Sequence, residues 1–451
     1  MTQTRRTYRL GRTHCIERTL RLASPFAALA LGSLVHAQNS TAPSAPQAKP
    51  IAIVNAIIHT STIAQPVIER GWVLIEDGKV KTVGVTPSEI PSGIDIVDAQ
   101  GMHLSPGFMA SATQLGLIET MQAEATDDRT EFGEFHPESV PALAINPDSD
   151  LLGVARNAGV LLALVTPLGG SVSGSASVIK LNGWSTEDIT VDARVGIVVQ
   201  WPMIEASKQW WTRRSPDDQR KRFAETRAKI DRFFDDAKAW VLAKTADATV
   251  AHDERFEAMR AVLDGRDPVF MTVGSASQIE TAVLWAKERG LRPVLIGSNG
   301  LLSEADFLRN HGVRVIVTGT HQLPASEAQH PSAPYALPGL LEKVGIPFAI
   351  ASGDEPAHER NLPHNAATAV AYGLDPEAAL RSITITPAQL AGIAEQYGSI
   401  ESGKSATLIL TRGHPLEVTS GVAQAWIDGA ELNLSNRQTR MKAKYDARHS
   451  P

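Results

Sequence analysis

A carboxylate and two imidazoles that could exchange protons with a substrate lie close to the ends of two predicted strands. Asp354 and His358 follow the apolar run Pro347–Ala351, and His321 follows the run Val313–Val317. A carboxylate beside an imidazole can act as general acid and base near neutral pH. These residues are therefore one candidate site, and the alternative is that they are exposed polar residues of ordinary loops.

The other histidines show no recognised zinc-binding spacing. The chain has 13 histidines, but no His-x-His and no His-Glu-x-x-His occurs among them. Glu131, Glu134 and His136 lie in the segment that follows the first apolar run of the middle region, and they can extend towards the same candidate site. Four further histidines are interpreted as ordinary surface residues: His59, His252, His311 and His414.

Charge and motifs argue against nucleic acids and nucleotides as partners. The formal net charge is −6; the first 37 residues hold six arginines and one glutamate, which leaves 37 basic and 48 acidic residues, or −11, in the rest. Such a surface does not neutralise phosphates. The glycine-rich segment 169–175 lacks the Gly-Lys-Ser/Thr ending of a phosphate-binding loop and is interpreted as a flexible turn.

Residues 1–37 have the pattern of a secretory signal peptide. An arginine-rich region precedes an apolar stretch from Leu22 to Val35, and Val35-His36-Ala37 suits cleavage. The only cysteine, Cys15, lies in this segment, so the exported chain has no disulfide, which favours a bacterial periplasm. Residues 38–50 are a predicted flexible linker. The general secretory route is favoured over the twin-arginine route, and no membrane span is expected in the mature chain.

Short apolar runs typical of β-strands lie at both ends of the remaining chain. Asp77-Gly78 and Asp428-Gly429 each join two such runs, a pattern that predicts a hairpin. We therefore predict a composite β-sandwich domain from residues 51–105 and 396–433. A C-terminal tail, residues 434–451, follows it.

The middle of the chain, residues 106–395, alternates apolar runs with segments of helical periodicity. Runs such as Val269–Val273 and Pro293–Ile296 are apolar on both faces, as in parallel strands covered by helices. This pattern predicts an α/β fold with a distorted (β/α)8 TIM-like barrel; a doubly wound open sheet is the alternative, and the divided β domain favours the barrel. The charged stretch 204–244 is a predicted helical insertion, and Lys180 an outward-facing strand residue.

Four segments in this order carry a resemblance to the amidohydrolase superfamily. They are VLIEDGKV (73–80), DAQG with SPGF (98–101 and 105–108), TITPA (384–388) and GSIESGKSA (398–406). Together they make the chain similar to imidazolonepropionase-like and periplasmic amidohydrolases. The resemblance implies a TIM-like barrel with a small β domain, and hydrolysis of non-peptide carbon–nitrogen bonds in cyclic amides, amino-acid derivatives or dipeptides.

The resemblance also implies a site for zinc or another divalent metal, but most of its ligands are missing. The two histidines expected after the first barrel strand align with Ala112 and Gln114. Those expected on strands five and six align with Thr272 and with Gly297 or a neighbour. The aspartate after strand eight, a ligand and general base in active relatives, is kept as Asp354. One carboxylate does not hold a transition metal.

These substitutions lead to the hypothesis of a pseudoenzyme that holds no metal and is weakly active or inactive. It would bind a small ligand in a pocket that includes Asp354, Gln114, Thr272, His321 and His358, or form an oligomer with itself or with an active amidohydrolase relative. No cofactor is expected. The alternative is an active exported hydrolase with an atypical site around Asp354, His321 and His358.

Overall fold

The computed structural model describes residues 42–90, 92–206, 212–353 and 355–449. The predicted signal peptide and Asp354 lie outside the described residues. The strands are β1 Ile51–His59, β2 Val67–Glu76, β3 Lys79–Val85, β4 Asp95–Asp98, β5 His103–Pro106, β6 Phe108–Thr113, β7 Val160–Val165, β8 Val172–Lys180, β9 Thr190–Gln200, β10 Pro268–Thr272, β11 Arg292–Ile296, β12 Arg314–Thr318, β13 Phe348–Ala351, β14 Leu408–Thr411, β15 Val422–Ile427 and β16 Ala430–Glu431.

The helices lie mainly between the strands of the middle region. They are α1 Asp150–Asn157, α2 Thr186–Ile189, α3 Pro216–Ala246, α4 Glu254–Ala258, α5 Arg260–Leu263, α6 Ala276–Glu288, α7 Ala305–Asn310, α8 Ala333–Lys343, α9 Leu362–Ala371, α10 Pro376–Ser382, α11 Ile385–Leu390 and α12 Arg437–His449. A short 3-10 helix, Pro356–Asn361, precedes α9. Within the described ranges, none of the helices has the length and apolar character needed to cross a membrane.

Local sequence signals account for the boundaries of these elements. The serine side chain of Ser275 accepts a hydrogen bond from the amide of Gln278 at the start of α6, and Gly290 follows its end at φ +73°. Asp77 and Gly78 have φ values of +51° and +76° in the turn between β2 and β3. The predicted Asp-Gly hairpin is thereby confirmed, since both turn positions need positive φ.

One sheet combines strands from both ends of the described chain. Its order is β16-β15-β14-β5-β1-β2-β3, with β4 also paired to β1. The antiparallel pair of β5 and β14 joins the two ends, and it sets Pro106 opposite Leu408 and His103 opposite Thr411. Trp426 is fully buried in the apolar layer of this sheet.

The second sheet, β6 to β13 in sequence order, forms a nearly closed barrel. Neighbouring strands are parallel except for β8, which is antiparallel to both β7 and β9, and the edge strands β6 and β13 lie side by side. Each strand contributes residues such as Met109, Leu164, Phe270 and Ile316 to one apolar cluster, which is therefore the barrel interior. The predicted fold class, a distorted TIM-like barrel with a second β unit, is confirmed.

The reversed strand corrects one prediction. The prediction of a flexible turn over residues 169–175 is wrong from Val172 onwards, because β8 begins at Val172. Ser173 and Ser175 are each only 1% exposed. Lys180 ends this antiparallel strand and therefore lies at the opposite end of the barrel from the carboxyl ends of the parallel strands. Its ammonium group pairs with Asp428 at 2.7 Å.

Asp428 connects the barrel to the first sheet. Its carboxylate accepts hydrogen bonds from Lys180 Nζ at 2.7 Å, Ser405 Oγ at 2.7 Å and Tyr397 Oη at 3.1 Å. The residue also has φ +49° in the turn before Gly429, a conformation that aspartate tolerates better than most residues.

Replacing Asp428 with alanine is therefore expected to lower the free energy of unfolding by about 2–3 kcal/mol, the usual loss for hydrogen bonds to a charged group. Urea denaturation followed by circular dichroism measures it. Asp95→Ala, on an exposed position of β4, is the control and should change the stability by less than about 0.5 kcal/mol. Equal stability of the two variants would contradict the assigned role of Asp428.

Candidate active site

The mouth of the barrel, defined as the carboxyl ends of its parallel strands, is where barrel enzymes place their active sites. Side chains alternate between the two faces of a strand. Because Phe270, Ile296 and Ile316 face the barrel interior, the residues two positions further along face it as well. These residues are Thr272, Ser298 and Thr318, and all three are half-buried.

The mouth is lined by neutral hydrogen-bonding groups that bind one another. Ser298 Oγ and Thr318 Oγ1 are 3.0 Å apart. On the other side of the barrel, Gln114 Nε2 donates to the carbonyl of Thr166 at 3.3 Å. Gln200 Nε2 donates to Ser173 Oγ at 3.2 Å. These amides and hydroxyls can donate and accept hydrogen bonds but carry no charge.

The sequence predicts Gly297 or a neighbour for the position on strand six, and in the structure the neighbour Ser298 is the residue that faces the mouth. A Cβ atom added to Gly297 would lie 2.2 Å from the carbonyl oxygen of Val273, so this position has no room for a side chain. Counting by twos from Val294 through Ile296 leads to Ser298. Strand alternation was the signal that would have identified it.

The first barrel strand ends in a distorted segment. Ala112 has φ +51°, and the pairing of β6 with β7 shifts register between Ala110 and Thr113. A non-glycine residue in this conformation costs roughly 1–2 kcal/mol. Ser111 lies two residues after the inward residue Met109 and therefore faces the barrel interior as well. Its hydroxyl is buried and has no hydrogen-bond partner. Strain and an unsatisfied hydroxyl are both usual where a ligand binds.

The structure separates His321 from the mouth. Its Nε2 lies 2.7 Å from Thr368 Oγ1 on α9, and its backbone amide donates to Asn365 Oδ1 at 3.2 Å. Helix α9 packs on the outside of the barrel, because Leu362 and Ala366 belong to the outer apolar cluster. The ring is therefore directed towards the helical layer and not towards Thr272.

His358 and the acidic segment after β6 also have their own surroundings. His358 is half-buried in the 3-10 helix before α9. Glu134 binds Lys229 of α3 at 2.7 Å, and its carbonyl accepts hydrogen bonds from the loop before β8. Glu131 is exposed, and His136 Nε2 is buried without a hydrogen-bond partner.

Of the residues proposed for the site, the structure brings Gln114 and Thr272 to the mouth.

The donor atoms of the mouth do not fit a transition metal. Zinc is held in proteins by thiolates, imidazoles and carboxylates, whereas the described strand ends supply the amides and hydroxyls of Gln114, Gln200, Thr272, Ser298 and Thr318. Asp354, the carboxylate expected there, lies outside the described residues.

One interpretation from the sequence is wrong. His59 is not an ordinary surface residue: it is 3% exposed, and His414 is half-buried beside it, with 4.8 Å between the ring centroids. His59 ends β1 of the first sheet, and His414 lies in the loop after β14.

Comparison with known proteins adds to the architecture. The sequence model of the amidohydrolase family matches residues 191–432. An amidohydrolase structure from Thermotoga maritima MSB8 superposes with a TM-score of 0.74 at 25% identity, over 86% of this chain and 100% of that one. Amidohydrolase tasK from Hapsidospora irregularis is 22% identical over 428 residues, 84% of this chain and 43% of tasK.

An imidazolonepropionase from Erwinia tasmaniensis is 30% identical over 132 residues, which are 25% of this chain and 32% of that enzyme. The chain thus spans less than half the length of these two curated relatives. The family model, in contrast, covers more than half of the 451 residues. This chain belongs to the amidohydrolase family.

Proposed function

We propose that this member of the amidohydrolase family is exported to the periplasm and that its barrel mouth binds a small uncharged molecule without metal-dependent hydrolysis. The observation that carries this proposal is the set of inward residues at the strand ends. Gln114, Thr272 and Ser298 supply amide and hydroxyl groups where the family resemblance implies imidazole ligands, and Thr318 adds a hydroxyl on the next strand.

The chemistry of these groups supports a ligand of amide type. Carboxamides and hydroxyls each donate and accept hydrogen bonds, so they complement the carbonyl and N–H groups of a cyclic amide. The unpartnered hydroxyl of Ser111 offers one further hydrogen bond on the interior face of β6. Binding of such a neutral molecule leaves no buried charge to be compensated.

The same groups are poorly suited to hydrolysis. A catalytic zinc requires about three protein ligands of nitrogen, sulfur or carboxylate type to activate water. For the alternative site around Asp354, the hydrogen bond between His321 and Thr368 on α9 is unfavourable, because it directs this imidazole to the helical layer.

The experiment starts from the full chain expressed in a bacterium and recovered from the periplasm, where its N-terminus is expected at Gln38. The purified protein is assayed on lactams, N-acyl amino acids and dipeptides, with and without added Zn²⁺ or Mn²⁺. We expect turnover at least about 10³-fold below that of a metal-dependent amidohydrolase assayed in parallel, since the water-activating metal is missing.

Thermal shift against the same compounds then identifies ligands, and Gln114→Ala and Thr272→Ala should abolish the shift. Metal-stimulated hydrolysis that disappears in the Gln114→Ala variant would overturn the proposal. So would hydrolysis that depends on His321, because it would support the atypical catalytic site. A protein retained in the cytoplasm with its N-terminal segment intact would contradict the export.

A further inference from the structure

Three histidines and a glutamate meet at the junction between the first sheet and the helices of the barrel. His59 ends β1, His103 begins β5, and His414 follows β14. Glu377 lies in the first turn of α10. We refer to these four residues as the junction cluster; they come from four separate parts of the chain.

The junction cluster is closely connected. His59 Nδ1 is 2.8 Å from Glu377 Oε1, and His59 Nε2 is 2.8 Å from Nδ1 of His103. One ligand atom from each of His59, Glu377 and His414 lies within 4.8 Å of the other two. The rings of His103 and His414 have centroids 5.9 Å apart.

Two members of the junction cluster are largely buried. The side chains of His59 and Glu377 are 4% and 18% exposed. His103 and His414 are half-buried. The second carboxylate oxygen of Glu377, Oε2, is buried and has no hydrogen-bond partner.

We propose that His59, Glu377 and His414 bind a divalent transition metal such as zinc, and that His103 is a positioning residue for His59. Two imidazoles and one carboxylate are a known zinc-ligand set, which leaves a fourth position for water. Since Nδ1 of His59 faces Glu377, Nε2 remains free to hydrogen-bond with His103. Metal-bound histidines usually make a hydrogen bond of this kind through the second ring nitrogen.

His414 is the member of the set that must adjust. The amide of Leu416 donates to Nδ1 of His414 at 3.2 Å, so Nε2 is the nitrogen available to an ion. Binding through Nε2 moves the ring proton to Nδ1 and releases this single long hydrogen bond. His414 also lines a cleft of about 540 Å³ together with His364, Thr368 and Glu417, through which an ion and its water can reach the site.

The junction cluster is separate from the barrel mouth. A negative result for metal binding at the junction therefore leaves the proposed function of the mouth untouched, and the reverse also holds. The junction cluster is built from the first sheet and α10, whereas the mouth is built from the ends of the barrel strands. Metal binding at the junction is compatible with a mouth that performs no hydrolysis.

The test uses Co²⁺, whose visible absorption reports imidazole and carboxylate coordination without an activity assay. The full mature chain, without a polyhistidine tag, is stripped with a chelator and titrated with Co²⁺ and then with Zn²⁺ in competition. We expect one equivalent to bind. Glu377→Gln and His414→Ala should each weaken binding at least about 100-fold, and His103→Asn about 10–100-fold.

His364→Ala is the matched control, because His364 lines the same cleft as His414 but does not belong to the junction cluster. It should bind Co²⁺ like the wild type, and so should the mouth variants Gln114→Ala and Thr272→Ala. Glu377→Gln keeps the shape of the side chain, and its circular dichroism spectrum shows whether the fold is intact. Absence of Co²⁺ binding to the wild type, or binding that survives His414→Ala, would overturn the proposal.

Discussion

Replacement of Trp285 by alanine is expected to lower the free energy of unfolding by about 3–5 kcal/mol, the usual loss for a large aromatic removed from a core. Trp285 of α6 is 1% exposed. Its ring packs against Phe234 of α3 at 4.8 Å and against Trp201 at 5.0 Å between centroids. Its indole N–H donates to Asp231 Oδ1 at 2.6 Å. Chemical denaturation followed by circular dichroism measures the loss.

The same substitution should expose α3 to proteolysis, because this helix is attached mainly through its buried face around Phe233 and Phe234. Limited proteolysis should then cut within residues 216–246 faster than in the wild type. Trp184→Ala, on a residue 73% exposed, is the control and should change stability by less than about 0.5 kcal/mol. A loss below about 1 kcal/mol for Trp285→Ala would contradict the assigned packing.

The fold was largely predictable because its signals are local. Asp-Gly turns predicted the hairpins at Asp77 and Asp428, and the apolar runs near Val269 and Pro293 became β10 and β11 within a residue or two. Strand β8, Val172–Lys180, was partly missed because serine, glycine and alanine fill residues 173–177. These small residues give no hydrophobic period, and their burial depends on the neighbouring strands.

The barrel mouth could be predicted in part from the sequence, whereas the junction cluster could not. Alignment along the chain places Ala112, Gln114 and Thr272 where the family resemblance implies ligands, and strand alternation selects Ser298 as the neighbour of Gly297 that faces the mouth. The junction cluster was not predictable, since His59 and His414 approach each other only after β14 pairs with β5 and β5 with β1. Neither histidine has a ligand partner nearby in the sequence, so each resembled an ordinary polar residue at a strand end.

The barrel mouth has room for a metal ion if the absence of suitable ligands is all that prevents binding there. In that case, adding imidazoles should create a metal site. We predict that Thr272→His, Ser298→His and Thr318→His together bind Zn²⁺ or Co²⁺ with a Kd of about 1 µM or tighter, which corresponds to about 8 kcal/mol. Structural zinc sites with four ligands gain about 10–16 kcal/mol. The three positions lie on the neighbouring strands β10, β11 and β12 and face the same interior, and two of their hydroxyls already lie 3.0 Å apart.

The measurement is a Co²⁺ titration in a Glu377→Gln background, which removes the signal expected from the junction cluster. Thr272→His alone is the control and should bind at least about 100-fold more weakly, because one imidazole does not retain the ion. A folded triple variant that binds no metal would show that the mouth is closed to an ion by the packing of its loops. Binding without hydrolysis would instead separate metal affinity from catalysis, since water activation also requires a base such as Asp354 in a suitable position.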